Sequence, residues 1–293
     1  MGQLTKLFGA GLPVFALMLI TATSCLGQVF PLANAFSHND YLRKKPLYEA
    51  LDNGFTNIEA DIFLINDKLI VAHYFPYFKS KRTLESLYLK PLADYVNNNK
   101  GAIYTNYQQP ITLMIDIKTG ADKTYAALKP LLTKYSSLLT SYDNGVIHPG
   151  LITIVLSGNR PVNTIQNETK RYAFVDDRLN ENTAKSTDVY LMSSCKYSKF
   201  LHWAGKGTVP EKEDANFKMA INEAHQQGKK VRLYAAPENK TVWRYLLAAG
   251  VDMINTDELA TLKTFLIDNE KTNLQTYQTA SVPKVVAVTD VKR

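Results

Sequence analysis

Residues 57–62 read Asn-Ile-Glu-Ala-Asp-Ile, a stretch in which apolar and polar side chains alternate. Alternation with a period of two predicts a β-strand, because successive side chains on a strand point to opposite faces. Glu59 and Asp61 then share one face, and the apolar side chains share the other. Burying two carboxylates on one face is costly unless a cation or a proton offsets their charge. The stretch therefore predicts a strand whose polar face lines a site.

Short apolar segments also lie on both sides of this stretch, separated by segments in which apolar residues recur every three or four positions. The first kind is typical of buried parallel strands, and the second of helices that cover them. Strands are predicted at residues 34–37, 57–62, 111–117, 151–156, 173–175, 189–192, 231–235 and 253–255. Helices are predicted at residues 48–53, 83–97, 123–139, 217–227 and 241–249.

Turn residues support this order of elements. Gly54 and Gly250 each follow a predicted helix and precede a strand, as expected where glycine supplies the left-handed residue that ends a helix. Asn66 and Asp67 precede residues 68–72 and predict a hairpin with strand 57–62. The sequence contains neither GxGxxG nor GxxxxGK(S/T), which disfavours nucleotide-binding folds. Eight strands with helices between them favour a single α/β domain, a closed (β/α)8 TIM barrel.

Residues 1–27 have the layout of a secretory signal peptide, with Lys6, an apolar run at 7–20 and small residues up to Gly27. They predict export to the periplasm or the extracellular space. A transmembrane anchor is one alternative, but the apolar run is shorter than the roughly 20 residues needed to cross a bilayer. Lipid attachment at Cys25 is the other alternative.

The remaining chain is predicted to form one barrel at residues 28–268 and a polar C-terminal extension at 269–293. The extension is expected to be mobile, and the alternative is that residues 284–288 add an edge strand. Cys195 is the single cysteine after the predicted signal peptide, so no intrachain disulfide is expected.

The composition limits the partners of the protein. A hydrophobic content of 45% excludes disorder of the whole chain. The net charge of +7 favours anionic partners such as phosphate esters or an acidic membrane surface. The basic residues are scattered rather than clustered in a stripe, so nucleic acid binding is not expected. We expect a monomer that binds a small-molecule or lipid ligand.

Carboxylates suggest a metal site at one end of the barrel. Asp116, on the third predicted strand, adds a third carboxylate to Glu59 and Asp61. Functional residues of a parallel barrel lie at the C-terminal ends of its strands. Three carboxylate ligands suit one divalent cation, Mg²⁺ or Ca²⁺. The alternative is a structural ion pair with a lysine such as Lys118.

Two histidines and a lysine accompany these carboxylates. His38 follows the first predicted strand, and His73 follows the hairpin. Two imidazoles beside a cation site suit displacement at phosphorus, in which one takes a proton from the nucleophile and the other gives a proton to the leaving oxygen. Lys118 shares a strand face with Asp116 and could neutralise a phosphate oxygen.

These motifs carry a family resemblance. Residues 35–40, 58–61 and 69–73 resemble the opening of the phospholipase C-like phosphodiesterase superfamily, with the His, ExD, His order of glycerophosphodiester phosphodiesterases. Residues 113–120 look like the DxK segment of the sphingomyelinase D branch, and residues 251–257 like the last strand and turn of the superfamily. The resemblance implies that Glu59, Asp61 and Asp116 bind the metal, that His38 and His73 are the acid and base, and that Lys118 contacts phosphate.

The sequence departs from glycerophosphodiesterases after the first histidine, where those enzymes have Arg-Gly and this chain has Asn39 and Asp40. Arg160 is the predicted replacement for the missing arginine, and Asn39 and Tyr234 complete the predicted substrate-binding residues. Asp176 and Asp177 are predicted to support a histidine or a lysine. The His-Asn opening and residues 157–161 and 237–243 look more like the branch that includes the altered-inheritance-of-mitochondria proteins.

The sequence therefore predicts a metal-dependent phosphoric diester hydrolase that acts on a glycerophosphodiester, a phospholipid or a related diester. Attack by a neighbouring hydroxyl of the substrate, which gives a cyclic phosphate, is one alternative. An inactive barrel that binds phosphate-containing ligands is another, because the Arg-Gly pair is missing. A glycoside hydrolase is disfavoured, since Glu59 and Asp61 are too close on one strand to flank a sugar bond.

Overall fold

A computed structural model describes residues 29–76, 81–105, 107–181 and 188–280, with side chains up to residue 271. The predicted signal peptide, the alternative lipid site at Cys25 and the alternative edge strand at residues 284–288 lie outside the described residues.

Eight parallel strands close into a barrel, as the sequence predicted. Strand β1 pairs with the last strand on one side and with the second on the other, so the ring has no open edge. Around the ring the order is β1, β2, β4, β7, β9, β10, β11 and β12. These strands are Leu32–Ser37, Phe55–Ile65, Ile111–Ile117, Ile152–Gly158, Phe174–Arg178, Tyr190–Lys196, Lys230–Tyr234 and Met253–Thr256.

The helices lie between the strands. Seven helices are described, of which five were predicted, whereas the five-residue α4 and the C-terminal α7 were not. They are α1 (Tyr48–Asp52), α2 (Lys90–Asn98), α3 (Ala121–Lys134), α4 (Val162–Gln166), α5 (Glu211–Gln226), α6 (Lys240–Ala249) and α7 (Leu259–Ala280). A π-helical turn, Glu85–Leu89, leads into α2. Helix α7 continues beyond Asp268, so the first part of the predicted extension is helical.

The predicted hairpin is also present. Strand β3 (Lys68–Val71) pairs antiparallel with β2. Asn66 and Asp67 form the turn with φ of 47° and 59°, a left-handed conformation that asparagine and aspartate tolerate better than most residues. Because β3 lies outside the closed ring, it extends the barrel wall beside the mouth.

A second, small sheet was not predicted. It contains β5 (Ser141–Asp143), β6 (Val146–His148) and β8 (Lys170–Arg171). An Asn144-Gly145 turn joins β5 to β6, and such a turn is a strong hairpin signal even between strands this short. The predicted helix at 123–139 accordingly ends early, at Lys134.

The barrel separates two layers of core. Outside, the apolar face of β2 packs with the surrounding helices in one large cluster. Inside, a smaller cluster of Phe36, Met114, Val155, Met192 and Met253 fills the barrel. Cys195 is buried, and burial raises the pKa of its thiol to about 12, which suits a packing role. No helix in the described part of the chain is both long and apolar enough to cross a bilayer.

Candidate active site

A cleft of about 230 Å³ opens at the C-terminal ends of the barrel strands. All six predicted catalytic and metal-ligating residues line it, together with Asn39 and Tyr234. The strand register explains this convergence, because Asp61 lies beside Asp116 and Asp116 lies beside Ser157. Residues far apart in the sequence are thus brought to one mouth of the barrel.

The three predicted carboxylates form a compact cluster. Glu59, Asp61 and Asp116 each offer an oxygen, and these oxygens lie within 4.8 Å of one another. Two cations partly offset their charge. Arg232 Nη2 donates to Glu59 Oε1 at 3.0 Å, and Lys118 Nζ lies 3.0 Å from Oδ2 of both aspartates. The ion pair considered as the alternative therefore exists, with Lys118 shared between Asp61 and Asp116.

The ion pairs with Arg232 and Lys118 leave one oxygen of each carboxylate without a cation, and of these, in the described part of the chain, only Glu59 Oε2 accepts a backbone N–H, that of Asn39, at 3.2 Å. Asp116 Oδ1 is buried and has no hydrogen-bond partner among the described residues. Burial and the neighbouring charge of Glu59 raise the pKa of Asp61 to about 6, although Lys118 opposes the shift. Both features indicate negative charge that the protein itself does not fully offset. The donor set therefore fits a divalent cation bound by oxygens.

Gly158 fixes the position of Asp116 from the neighbouring strand β7. A Cβ atom at this position would lie 2.1 Å from Asp116 Oδ1 and 2.6 Å from the carbonyl oxygen of Ile117. The residue also has φ of +67°, which favours glycine. Only glycine allows the Asp116 carboxylate to lie against this turn.

We expect Gly158→Ala to destabilise the protein by about 1–3 kcal/mol, because the new methyl group clashes with Asp116 and the backbone conformation is strained. Urea unfolding followed by circular dichroism measures the effect. Gly120→Ala is the matched control, since Gly120 lacks positive φ and a Cβ there would meet no atom within 4 Å. Equal stability of the two variants would contradict this account of Gly158.

His38 lies between two carboxylates. Its Nδ1 is 3.0 Å from Asp257 Oδ1, and its Nε2 is 3.6 Å from Glu59 Oε2. Burial alone would lower the pKa of His38, but the hydrogen bond to Asp257 and the charge of Glu59 outweigh it and raise the pKa. With Nδ1–H donated to Asp257, Nε2 is directed to the cleft.

Asp257 was missed as a functional residue. It follows β12, the same strand-end position that revealed His38 and Asp116. Its backbone N–H donates to Glu238 Oε1 at 2.9 Å, and Arg43 donates to its carbonyl oxygen at 3.1 Å. The backbone of the residue that orients His38 is therefore held on two sides.

Tyr41, also missed, connects His73 to the carboxylates. Its hydroxyl lies 2.7 Å from Asp61 Oδ2 and 3.0 Å from His73 Nδ1. Burial and the Asp61 carboxylate raise the pKa of Tyr41 far above its ordinary value, so the hydroxyl stays protonated. When that proton is donated to Asp61, the tyrosine oxygen accepts from His73 Nδ1–H. His73 then presents Nε2 as its free ring nitrogen.

The residues after His38 build the loop that positions these groups. Asn39 has φ of 49°, and its backbone N–H donates to Glu59 Oε2 at 3.2 Å. Asp40 is fully buried and accepts hydrogen bonds from the Leu47 N–H at 2.6 Å and from the Tyr88 hydroxyl at 2.9 Å. Asn39 and Asp40, which stand where glycerophosphodiesterases have Arg-Gly, thus hold this loop in place.

Comparison with known proteins places the chain in a family. A model described as the AIM6-like phosphodiesterase domain matches residues 23–176, more than half of the chain. The chain belongs to the AIM6-like phosphodiesterase family. A model of the glycerophosphoryl diester phosphodiesterase family matches residues 230–260. Both matches confirm the predicted superfamily and the predicted branch.

Two similar proteins are altered inheritance of mitochondria proteins from fungi. An altered inheritance of mitochondria protein 6 homolog from Arthroderma benhamiae is 28% identical over 261 residues, which cover 78% of this chain and 82% of the relative. Altered inheritance of mitochondria protein 6 from Lachancea thermotolerans is 25% identical over 270 residues, which cover 76% of this chain and 63% of the relative. The solved structure of a glycerophosphodiester phosphodiesterase from Parabacteroides distasonis matches with 13% sequence identity and a TM-score of 0.47. The match covers 83% of this chain and 98% of the solved chain.

Arg232, which lines the cleft, is a third residue that sequence reasoning missed. It is 3% exposed, donates to Glu59 and Asn255, and stacks 4.0 Å from the centre of the Phe36 ring. The signal was available, because Arg232 lies two residues before Tyr234 on the same strand and so shares its inward face. A buried arginine on the inward face of this strand predicts a buried carboxylate partner, because an unpaired buried charge is costly.

Strands β7 and β9 carry the remaining predicted residues. Arg160 donates a hydrogen bond to the backbone carbonyl of Asp176 and is not among the described residues that line the cleft. Asp176 accepts from the Ser157 hydroxyl at 2.9 Å, and Asp177 pairs with Lys229 at 2.9 Å. Asp177 thus pairs with a lysine, as predicted for this pair of aspartates, but Lys229 does not line the cleft.

Proposed function

We propose that the protein is a metal-dependent phosphoric diester hydrolase in which His38 and His73 act as an acid–base pair. Membership of a phosphodiesterase family supports the reaction class. The observation that carries the proposal is the arrangement of the cleft: one imidazole contacts Glu59 at 3.6 Å and the other contacts Asp61 at 3.4 Å. Both histidines therefore flank the same group of carboxylates.

Glu59, Asp61 and Asp116 would hold the cation, either Mg²⁺ or Ca²⁺, through the oxygens that Arg232 and Lys118 leave over. A bound divalent cation would polarise the phosphoryl group and offset its negative charge. Lys118 stays protonated beside two carboxylates, whose charges raise its pKa against the lowering effect of burial. Its ammonium group is part-exposed to the cleft, where it supports binding of a phosphate oxygen.

The two histidines divide the proton transfers. One Nε2 takes a proton from the attacking water as its oxygen bonds to phosphorus, and the other gives a proton to the alkoxide that leaves. The products are a phosphate monoester and an alcohol. Asp257 and Tyr41 support this role because each accepts from one Nδ1–H and so directs the opposite nitrogen to the substrate.

The same residues would serve a cyclising reaction if a hydroxyl of the substrate replaced water. Phosphorus NMR of the products separates the two outcomes, since a cyclic phosphate and a monoester have different chemical shifts. We propose hydrolysis because the cleft is open to solvent at its mouth. A cyclic phosphate as the first product would contradict this assignment.

A panel of glycerophosphodiesters, lysophospholipids and phosphoinositides tests the proposal. Wild-type protein is expected to release product with Mg²⁺ or Ca²⁺ and to stop when the cation is chelated. Absence of cation-dependent turnover on every substrate would overturn the hydrolase and favour the alternative of an inactive phosphate-binding barrel.

Exposed apolar side chains beside the cleft favour a lipid substrate at a membrane surface. Tyr74 and Phe75, which follow His73, are 80% and 52% exposed, and Leu42, which follows Tyr41, is 61% exposed. Lys44 and Lys45 are exposed next to Leu42 and complement an anionic surface. We propose that this edge contacts anionic lipid, on the outer side of the cell if the predicted signal peptide directs export.

We expect Leu42→Ser with Phe75→Ser to weaken binding to vesicles that contain anionic phospholipid by about 10-fold, because two apolar side chains no longer enter the interface. Sedimentation of vesicles with bound protein measures the change. Met219→Ser with Val146→Ser is the matched control, since these side chains are 59% and 53% exposed away from the cleft. Equal loss in both double variants, or no vesicle binding by wild-type protein, would refute membrane contact at this edge.

A further inference from the structure

Arg178 faces the cleft from strand β9. Side chains alternate along this strand: Asp176 points inward to the Ser157 hydroxyl, and Asp177 points outward to Lys229. Arg178 ends the strand on the same side as Asp176, one step closer to the mouth. It lines the cleft with His38 and Lys118.

The guanidinium of Arg178 differs from the other cations of the cleft in having no partner among the described residues. Lys118 is shared between two aspartates, and Arg232 is bound to Glu59. Within residues 29–76, 81–105, 107–181 and 188–271, no side chain forms a hydrogen bond or an ion pair with Arg178. A part-buried guanidinium whose donors all remain available suits an anionic ligand.

Position in the ring indicates how the ligand would be held. Strand β9 is the fifth strand counted around the ring from β1, so Arg178 lies across the barrel from the strand that His38 follows. The carboxylate cluster on β2 and β4 lies between these two walls. A phosphate held at the cluster would therefore meet His38 on one side and a guanidinium on the other.

Arg160 does not occupy an equivalent position. It also follows the end of a barrel strand, but its guanidinium donates to the Asp176 carbonyl instead of facing the cleft. Because of this hydrogen bond, the Arg160 guanidinium is directed to the backbone of β9, whereas the Arg178 side chain lines the cleft.

We propose that Arg178, and not Arg160, binds the non-bridging oxygens of the substrate phosphate. The inference rests on the proposed function for the identity of the substrate, but phosphate binding itself does not require turnover. In this protein the guanidinium would approach from β9, whereas glycerophosphodiesterases have an arginine directly after the first histidine. A planar guanidinium matches two phosphate oxygens at once, which lysine cannot do.

Binding of inorganic phosphate by full-length protein, measured by isothermal titration calorimetry with and without Mg²⁺, tests the proposal. Arg178→Gln is expected to lower the affinity by about 10-fold or more, the loss typical of a charge-assisted hydrogen-bond pair. Arg178→Lys should restore part of it by keeping the charge. Arg160→Gln is the matched control and should bind as wild type does.

Thermal unfolding of each variant shows whether it is folded, and Arg178→Lys provides the test if Arg178→Gln is not. Wild-type affinity in both Arg178 variants, or an equal loss in Arg160→Gln, would overturn the proposal. If no diester is turned over but phosphate binding depends on Arg178 alone, the hydrolase fails and the phosphate site stands. If turnover occurs, Arg178→Gln should raise KM for a diester more than it lowers kcat.

Discussion

His38→Ala is expected to lower kcat for a phosphodiester by about 100- to 10,000-fold, the range typical for loss of a general acid or base. The reason is that the Nε2 of His38 faces the carboxylate cluster while Asp257 holds Nδ1 at 3.0 Å. Alanine removes the proton carrier and leaves the cation ligands in place. Steady-state kinetics at saturating cation, on whichever diester wild-type protein cleaves best, measures the loss.

His202→Ala is the matched control for this variant. His202 is also paired with a carboxylate, Glu213 at 3.3 Å, but its side chain is 75% exposed and lies outside the cleft. Its loss should leave kcat within about twofold of wild type, as surface substitutions rarely act at a distance. A His38→Ala protein that stays folded and retains wild-type kcat would exclude His38 from catalysis.

Cation binding is expected to raise the thermal stability of wild-type protein and to leave that of Asp116→Asn unchanged. A ligand at about 100 times its Kd stabilises the folded state by about 2.7 kcal/mol, which corresponds to a Tm increase of about 5 °C or more. Asp116 is the informative choice because its neutralisation leaves Lys118 paired with Asp61. Neutralising Glu59 would instead leave the buried Arg232 without its carboxylate partner.

Asp67→Asn controls for the loss of one acidic charge. Asp67 lies in the β2–β3 turn at φ of 59°, a conformation that asparagine also adopts readily. Differential scanning fluorimetry with Mg²⁺ and with Ca²⁺ compares the two ions in the same series. A wild-type Tm that responds to neither ion, or an equal response in Asp116→Asn, would remove the carboxylate cluster as a cation site.

Much of the barrel could be predicted because most of its strands are short apolar runs, as at residues 111–117, and because strand 57–62 alternates apolar and polar side chains. The small sheet could not, since β5, β6 and β8 have two or three residues each and show no periodicity. Helix α4 was not predicted for the same reason, because it has only five residues. Stability of such short elements comes from tertiary contacts, such as the guanidinium of Arg171 lying 3.6 Å from the centre of the Tyr142 ring.

The site was predictable where it follows the strand-end rule. That rule identified His38, His73 and Asp116 without any knowledge of their contacts. It could not identify Tyr41, which lies in a short 3-10 helix after β1 and whose hydroxyl contacts Asp61 and His73. Nor could it rank Arg160 against Arg178, because the direction of a guanidinium depends on which acceptor lies nearest in space.

The barrel wall holds the two imidazoles by unequal means. The backbone N–H of His38 donates to the Thr256 carbonyl within the closed ring at 3.0 Å. His73 instead follows β3, an edge strand that pairs with β2 and makes a single bridge to Thr83 on its other side. Elements outside a closed hydrogen-bonded ring open at lower free energy than the ring itself. We therefore expect the segment that carries His73 to open at lower free energy than the segment that carries His38, while the eight-stranded ring stays closed.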